Sequence, residues 1–585
     1  MHALKAFVLA HWPLRALALL VLRRKIFMDE FVYKLGDYRD FKASVAGWRA
    51  FTSKTPADPK KPGVLLVAGA KMNTQWNELW VTLAAAYQYH GHKVFVLTSR
   101  NEPVQNLFYK LFGIQTIFLQ DWQAEPVRHD ETLYAEVDAL QSFFDFKEYE
   151  YADAPLGKMA LSTYSRLRAS GIMDVEAPGA RAESRDWIVK IHETRLRAER
   201  LFDRHGIGIV YLTEIFMEEY GGIYYGALRT GRNVIRTAGT VRDNAVVIQH
   251  LTPGSDRTHF SAITPKSWQR ILDEVDVARI EHDLAANFAD RYGDKWGLSK
   301  RNQPNTKIVA IKEARQTLGV AEGRKIAVVY SHILYDTLFF NGEDLFANYA
   351  EWLVETVKAA CANPEVDWFI KVHPSNLWRG ELEYYHGGVF EEVRLIKEHV
   401  GELPAHVHMV FPDTPLSPYT WMQVADYGIT VRGTTGIEMG ALGRTVVTAG
   451  TGRYEWIGFT VNPQSKQEYL DTLAKLQDVP DPTAEQHRLG KLFAYATFCM
   501  KPYTLYSLKP AVRNGRSSIF SSDDLVYLGD FPEPLREVPQ DIERVYRWSL
   551  LRDEVDLLSG WPDQVPLGSV PSSHPTDEGA VVSSR

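Results

Sequence analysis

The sequence predicts an α/β protein with two parallel-sheet domains facing a cleft. Three observations carry that reading. Strand, helix and strand alternate with short connections from Val64 to Leu97, and again from Ile326 to Val372. A polar, turn-rich segment, Asp294 to Asn305 (DKWGLSKRNQPN), separates the two runs. The 585 residues are too many for one core, so two large domains with appendages are expected.

Composition narrows the function classes. Hydrophobic residues make up 45% and charged residues 24%, as in an ordinary globular protein. The net charge of −7 gives no electrostatic case for a nucleic-acid partner. Cys361 and Cys499 are the two cysteines, too few for a disulfide framework, and a reducing compartment is the simplest setting. Phe7 to Leu22 is strongly apolar, but Pro13 and Arg15 interrupt it short of the ~20 residues a bilayer span needs. Lys5, Arg15, Arg23, Arg24 and Lys25 surround that stripe. It reads either as an amphipathic helix on the inner face of the plasma membrane, through residues 1–25, or as a helix packed on its own domain. A cytoplasmic location is expected, peripheral on the inner membrane face in the first case.

The elements are expected in this order. Residues 1–60 form the N-terminal segment, closed by the linker Pro56 to Gly63. Residues 61–305 form the first Rossmann-like domain. Its strands are Val64–Ala68, Val94–Leu97, Ile114–Leu119, Ile207–Thr213 and Asn233–Ile235, with a helix over Asn73–Tyr89. Residues 125–205 are rich in Arg and Glu at helical spacing and read as a helical insertion. Helices are expected from Ile235 to about residue 290. Residues 306–500 form the second Rossmann-like domain, with strands Ile326–Tyr330, Asp367–Val372, Tyr427–Val431 and Thr445–Ala449. Its helices are expected over Asp344–Ala362, from Ile437 and over 467–500. Residues 501–564 pack back on the domains, and 565–585, rich in Ser, Pro and Gly, are expected to be disordered.

In parallel sheets, ligands bind beyond the carboxyl ends of the strands. Ser331-His332 follows the first strand of the second domain, and Lys371 to Ser375 (KVHPS) closes the next. Arg432-Gly433-Thr434-Thr435-Gly436 follows the third, with Glu438 in the helix that opens there. Gly450 to Arg453 follows the fourth. A glycine-flanked Thr pair at a helix start offers N–H groups, hydroxyls and the positive helix end to an anion. Lys371, His373 and Arg453 supply charge-assisted donors, and Glu438 suits ribose hydroxyls.

The stretches FIKVHPSN and ADYGITVRGTTGIEMGALGRTVVTAGTGRY resemble the bacterial capsule polysaccharide synthesis family. They are similar to Kdo transferases and other His-Pro-motif glycosyltransferases. The resemblance covers about residues 325–460. It implies a GT-B-like layout with a nucleotide-sugar donor as co-substrate, a CMP-sugar such as CMP-Kdo being favoured, and no cofactor. By the match, His373 and Pro374 meet the donor phosphate and base. Thr434 and Thr435 stand for the family's Ser/Thr pair, and Glu438 is the acidic residue on the ribose side. The implied acceptor is a polysaccharide or lipid-linked glycan. CDP-glycerol-dependent polymerases share a similar Lys-x-His-Pro, so glycerophosphate transfer is the alternative, and an inactive scaffold of an assembly complex is a third.

An inverting transfer needs a base for the acceptor hydroxyl. Glu214, at the end of strand Ile207–Thr213, and Glu218 are the residues selected. Lys71 and Asn73, in the glycine turn after the first strand, are weaker possibilities for positioning substrate. No Asp-x-Asp stands at a strand end, so no metal site is expected. No Gly-x-x-x-x-Gly-Lys-Ser/Thr occurs, which excludes a P-loop NTPase.

Overall fold

A computed structural model describes residues 46–53 except 48, 55–69, 74–110 and 112–242 except 103, 104, 107 and 108, then 245–293, 296, 306–376, 390–512, 525–529, 538–561 and 564. The N-terminal stripe, Lys71, Asn73, most of the Asp294–Asn305 segment and residues 565–585 lie outside that set.

The first sheet contains β1 (Gly63–Gly69), β2 (Val94–Thr98), β3 (Gln115–Phe118), β4 (Ile207–Leu212), β5 (Asn233–Gly239) and β6 (Ala245–Leu251). The second contains β7 (Lys325–Tyr330), β8 (Val366–Lys371), β9 (Val407–Val410), β10 (Tyr427–Thr430) and β11 (Thr445–Thr448). A short strand, β12 (Tyr503–Thr504), returns to the first sheet, and Leu508–Val512 and Leu525–Gly529 pair as a separate two-stranded sheet. The strand orders are β12-β6-β5-β4-β1-β2-β3 and β11-β10-β7-β8-β9. Every pairing in the second sheet is parallel, as are those from β5 across to β3 in the first. The protein is therefore α/β, with two Rossmann-like domains in the GT-B-like layout expected of it.

The strands read as continuous apolar runs because helices cover both faces. Val64, Leu66 and Val96 pack on one face of the first sheet, Leu65, Val67 and Leu97 on the other. Helix α1 (Thr74–Tyr89) covers the former face and ends at Gly91, whose φ of +82° suits glycine. Between β3 and β4 lies the helical insertion, chiefly α2 (Leu156–Arg168) and α3 (Pro178–His205). Helix α4 (Glu218–Arg229) packs on them through two glycines. A Cβ on Gly221 would lie 1.9 Å from Met159 Cε, and one on Gly222 would lie 2.7 Å from Ile191 O.

Three expectations need correction. Residues 245–251 are strand β6, antiparallel to β5, where helix was expected. The run AVVIQHL is rich in β-branched residues and is buried along its whole length, which favours a covered strand over a helix. The helix expected from Asp344 begins at Tyr349, as α6 (Tyr349–Ala362). Asn348 caps it by accepting from Glu351 N, while Asp344 forms an antiparallel bridge with Gly450 and Leu345 N donates to Ala449 O at 3.0 Å, so the residues before Asn348 are tied to the loop after β11. Residues 467–500 are interrupted: Lys466–Ala474 ends, and α9 (Ala484–Tyr495) starts at a Thr483–Gln486 capping box. Helix α5 (Val277–Tyr292) precedes the inter-sheet segment, α7 (Glu391–His399) follows β8 and α8 (Thr434–Ala441) follows β10.

Beyond α9 the chain crosses back. β12 pairs with β6, and α10 (Gln540–Ser549) packs on α1 through Ile542, Val545 and Trp548. The crossing is pinned by a buried Lys501–Asp556 ion pair, each side chain 1% exposed. Thr264 N and Oγ1 also donate to the Asp556 carboxylate, at 3.0 and 2.8 Å. Among the described residues no helix is long and apolar enough to cross a membrane.

Candidate active site between the two sheets

The carboxyl ends of the two sheets face each other. Gly239, the last residue of β5, and Thr240 just beyond it share a cavity of about 240 Å³ with Thr434, beyond β10, and Arg453, beyond β11. His259 and Ser261, from the loop after β6, complete the polar wall. Phe260, Trp296 and Phe498 supply flat apolar surface.

Three backbone segments are layered at the rim of this cavity. Asn341 N donates to Asp256 O, and His259 N to Gly452 O, both at 2.8 Å. Thr451 N donates to Glu343 O, also at 2.8 Å. The layer therefore joins the first domain to two loops of the second. It is possible only with glycines at 342 and 452. A Cβ on Gly452, at φ +93°, would stand 1.9 Å from Asn341 O. One on Gly342, at φ +127°, would stand 2.1 Å from Thr451 O.

Arg432 is the strut behind this layer. Its Nε donates to Thr451 O at 2.8 Å, and Nη1 to the Tyr349 hydroxyl at 2.9 Å. Its Nη2 donates to Glu343 O at 3.1 Å and pairs with Asp344. Its donors are thus directed at the protein. Arg453 differs. Nη1 donates to Arg432 O at 3.1 Å and Nη2 to Ser261 Oγ at 2.8 Å, while the buried Nε has no partner. Burial pulls its pKa down to about 10. Asn287 Oδ1 and Thr497 Oγ1, on the same cavity wall, are also buried without partners.

Two histidines carry the same local motif. His373 Nδ1 lies 2.7 Å from Ser375 Oγ and accepts from Ser375 N at 3.2 Å. His259 Nδ1 lies 2.9 Å from Ser261 Oγ and accepts from Ser261 N at 3.1 Å. A ring nitrogen that accepts a backbone N–H carries no proton, so each neutral imidazole holds its proton on Nε2. Arg453 reinforces this at His259: it donates to Ser261 Oγ, whose own proton then points at Nδ1. Burial, then the charges of Arg453, Arg236 and Arg432, hold the His259 pKa well below its usual value. His259 thus presents a neutral N–H donor at the cavity it lines.

The remaining selected residues are distributed as follows. His332 Nε2 accepts from Val431 N at 3.2 Å and its ring stacks on Tyr349. Burial and then the Arg432 charge push its pKa to about 3. Ser331 Oγ and Asn376 Nδ2 both donate to Glu392 Oε1, at 3.2 and 2.9 Å. Burial raises the Glu392 pKa to about 7. Lys371 is buried at the end of β8 beside Tyr330 of β7, its pKa lowered by burial to about 8. Pro374 makes the turn between His373 and Ser375.

Thr434 and Thr435 open α8. Gly433 is its N-cap and supplies no side-chain cap, and Gly436 N donates back to Gly433 O at 3.0 Å. Gly436 is packed: a Cβ there would meet the Tyr454 hydroxyl at 2.2 Å, and that hydroxyl donates to Gly433 O. Glu438 is buried and paired with Arg291 Nε at 2.7 Å, and the Tyr292 hydroxyl also donates to it. It fastens α5 to α8.

On the first domain, Glu214 Oε1 accepts from Ile215 N at 2.7 Å and Phe216 N at 3.2 Å. Oε2 has no partner among the described residues. Glu214 acts electrostatically on Arg236 of β5. Arg236 is buried between the Phe216 and Phe260 rings, with Nε and Nη1 unpartnered. Glu218 is the first residue of α4. Sequence reading missed His259, Ser261 and Arg236. The spacing His259-Phe260-Ser261 repeats His373-Pro374-Ser375 and was the available signal. Among the described residues no group of three or more His, Cys, Asp or Glu is placed to hold a metal ion.

No family model matches the chain, and no curated protein matches it. Among solved structures it is similar to KpsC, a beta Kdo 2,4 transferase of Thermosulfurimonas dismutans, at 12% identity and a TM-score of 0.31, over 51% of this chain and 82% of that one. It is similar to CalG4, the calicheamicin glycosyltransferase, at 12% identity and 0.25, over 75% and 95%. It is similar to the UDP-GlcNAc 2-epimerase of Neisseria meningitidis at 11% and 0.25, over 74% and 97%. At such TM-scores these likenesses carry no functional weight.

Proposed function

We propose that the protein is a glycosyltransferase that holds a nucleotide-sugar donor between its two domains and transfers the sugar to a glycan acceptor. One observation carries this reading. Arg453 Nε, Asn287 Oδ1 and Thr497 Oγ1 are buried without partners in one cavity, next to a helix start without a side-chain cap. Orphaned buried polar groups are costly: an anionic oxygen would accept from Arg453 Nε and the Thr497 hydroxyl, and a ligand hydroxyl or amino group would donate to Asn287 Oδ1. The aromatic walls suit the base or the sugar ring.

In that reading the departing phosphate is stabilised by Arg453, the Nε2–H of His259 and His373, and the α8 N-terminus. Fixed N–H donors aimed at developing charge need no reorganisation during reaction. Glu214 takes the acceptor proton through its free Oε2, with Glu218 as the other base. A CMP-sugar such as CMP-Kdo is the favoured donor and a surface polysaccharide or glycolipid the acceptor. The CDP-glycerol reading uses the same phosphate groups. The protein would act in the cytoplasm, with residues 1–25 touching the inner membrane face.

Thermal shift with CMP, CDP, UDP and GDP tests the reading. One nucleotide should raise the melting temperature by linkage. Preference for CMP selects the CMP-sugar donors and preference for CDP the glycerophosphate alternative. No shift at millimolar concentration contradicts the enzyme reading.

A further inference from the structure

Two of the three layered segments, those of Asp256 and of Gly342–Glu343, border a second cavity of about 500 Å³ that Arg453 does not line. Its walls come from three places: the insertion (Glu150, Asp153, Lys158), α4 (Tyr225, Leu228) and the layered loops (Asp256, Arg257, Glu343). Its electrostatics differ from the first cavity. Acids and bases alternate around it without cationic excess, so a phosphate-bearing ligand gains little. Arg229 faces Asp153 at 3.6 Å, and the Tyr225 hydroxyl bonds to Asp256. Among the described residues Glu150, Lys158, Arg257 and Glu343 are in no ion pair. Phe339, held at φ +68°, contributes an aromatic wall.

A ligand for such a wall must donate to carboxylates and accept from cations at alternating points. Hydroxyl groups do both. The size lies within the usual range for small-molecule cavities. We infer that this second cavity binds a neutral, hydroxyl-rich glycan, holding a stretch of acceptor away from its reacting end. The acceptor role rests on the transferase reading, and glycan binding does not.

The test captures the full-length protein on an array of short neutral oligosaccharides, with thermal shift by CMP and UDP run in parallel. Leu228→Trp fills the cavity and Arg257→Ala removes an exposed cation. The wild type should be retained on at least one glycan, and both variants should lose about tenfold in apparent affinity with their nucleotide shifts unchanged. Capture without any nucleotide shift would remove the donor reading and leave this site standing. Failure of the wild type to retain any neutral glycan, or equal retention by both variants, overturns the inference.

Discussion

Arg453 of the second domain donates to Ser261 of the first across 2.8 Å, and Ser261 in turn fixes the tautomer of His259. One side chain thus links the contact between the domains to the protonation pattern of the cleft. Arg453→Met should weaken nucleotide binding by about 10- to 100-fold, the loss of a charge-assisted hydrogen bond of roughly 1.5–3 kcal/mol. Calorimetric titration of nucleotide into both proteins checks this. Arg453→Lys should recover only part of the affinity, because a lysine cannot hold Ser261 and the ligand in the same fork.

His373→Ala should weaken nucleotide binding while leaving the melting temperature of the free protein near wild type, since His373 sits in a turn and not in a core. Glu214→Gln should abolish turnover and leave nucleotide affinity unchanged. Glu218→Gln tests the other base in the same assay. Normal turnover in both Glu variants would place the base elsewhere.

With the donor phosphate on the Lys371 to Ser375 turn, as proposed, Lys371 gives a pH signature to binding. Its pKa in the free protein is lowered by burial to about 8, so above that value the free protein loses the cation. An anionic ligand favours the protonated form. Nucleotide affinity should therefore fall about tenfold per pH unit above pH 8, and Lys371→Met should flatten the profile while lowering affinity at pH 7.

Stability should fall as pH drops below 6.5. His92, His192 and His250 are held near 4 by burial, and His332 near 3, against 6.5 when unfolded. Between those values the unfolded chain binds protons that the native state refuses, each contributing about 1.4 kcal/mol per pH unit. Glu392, at about 7, opposes this with one proton, because its native carboxyl stays protonated where the unfolded one ionises. Urea melts between pH 4.5 and 7 should show the net loss on acidification.

Gly452→Ala should be poorly tolerated. It places a Cβ 1.9 Å from Asn341 O at a left-handed φ, which costs about 1–3 kcal/mol in backbone strain before any loop displacement. Thermal melts of the free variant check the stability loss, and nucleotide titration checks the accompanying damage to the cleft.

Much of the fold was legible because parallel strands covered on both faces read as short apolar runs between glycines. Thr434 and Arg453, selected by the strand-end rule, line one cavity. Strand β6 was not legible, since a buried apolar run looks alike in a helix and a strand until its pairing partner is known. Arg432 shows the same limit at the level of chemistry. Its place at a strand end suggested a ligand, but its donors are spent on the rim loops, a fact that depends on residues more than eighty positions away. His259 was hidden for the converse reason, as a first-domain residue brought to the cleft by a loop after an unrecognised strand.

Hydrogen–deuterium exchange with and without the nucleotide that gives the largest thermal shift tests the central claim most directly. Nucleotide should slow exchange together in residues 256–261 of the first domain and in 432–436 and 451–454 of the second. Binding that leaves these three segments unprotected, or protects those of one domain alone, would contradict a donor site shared across the cleft.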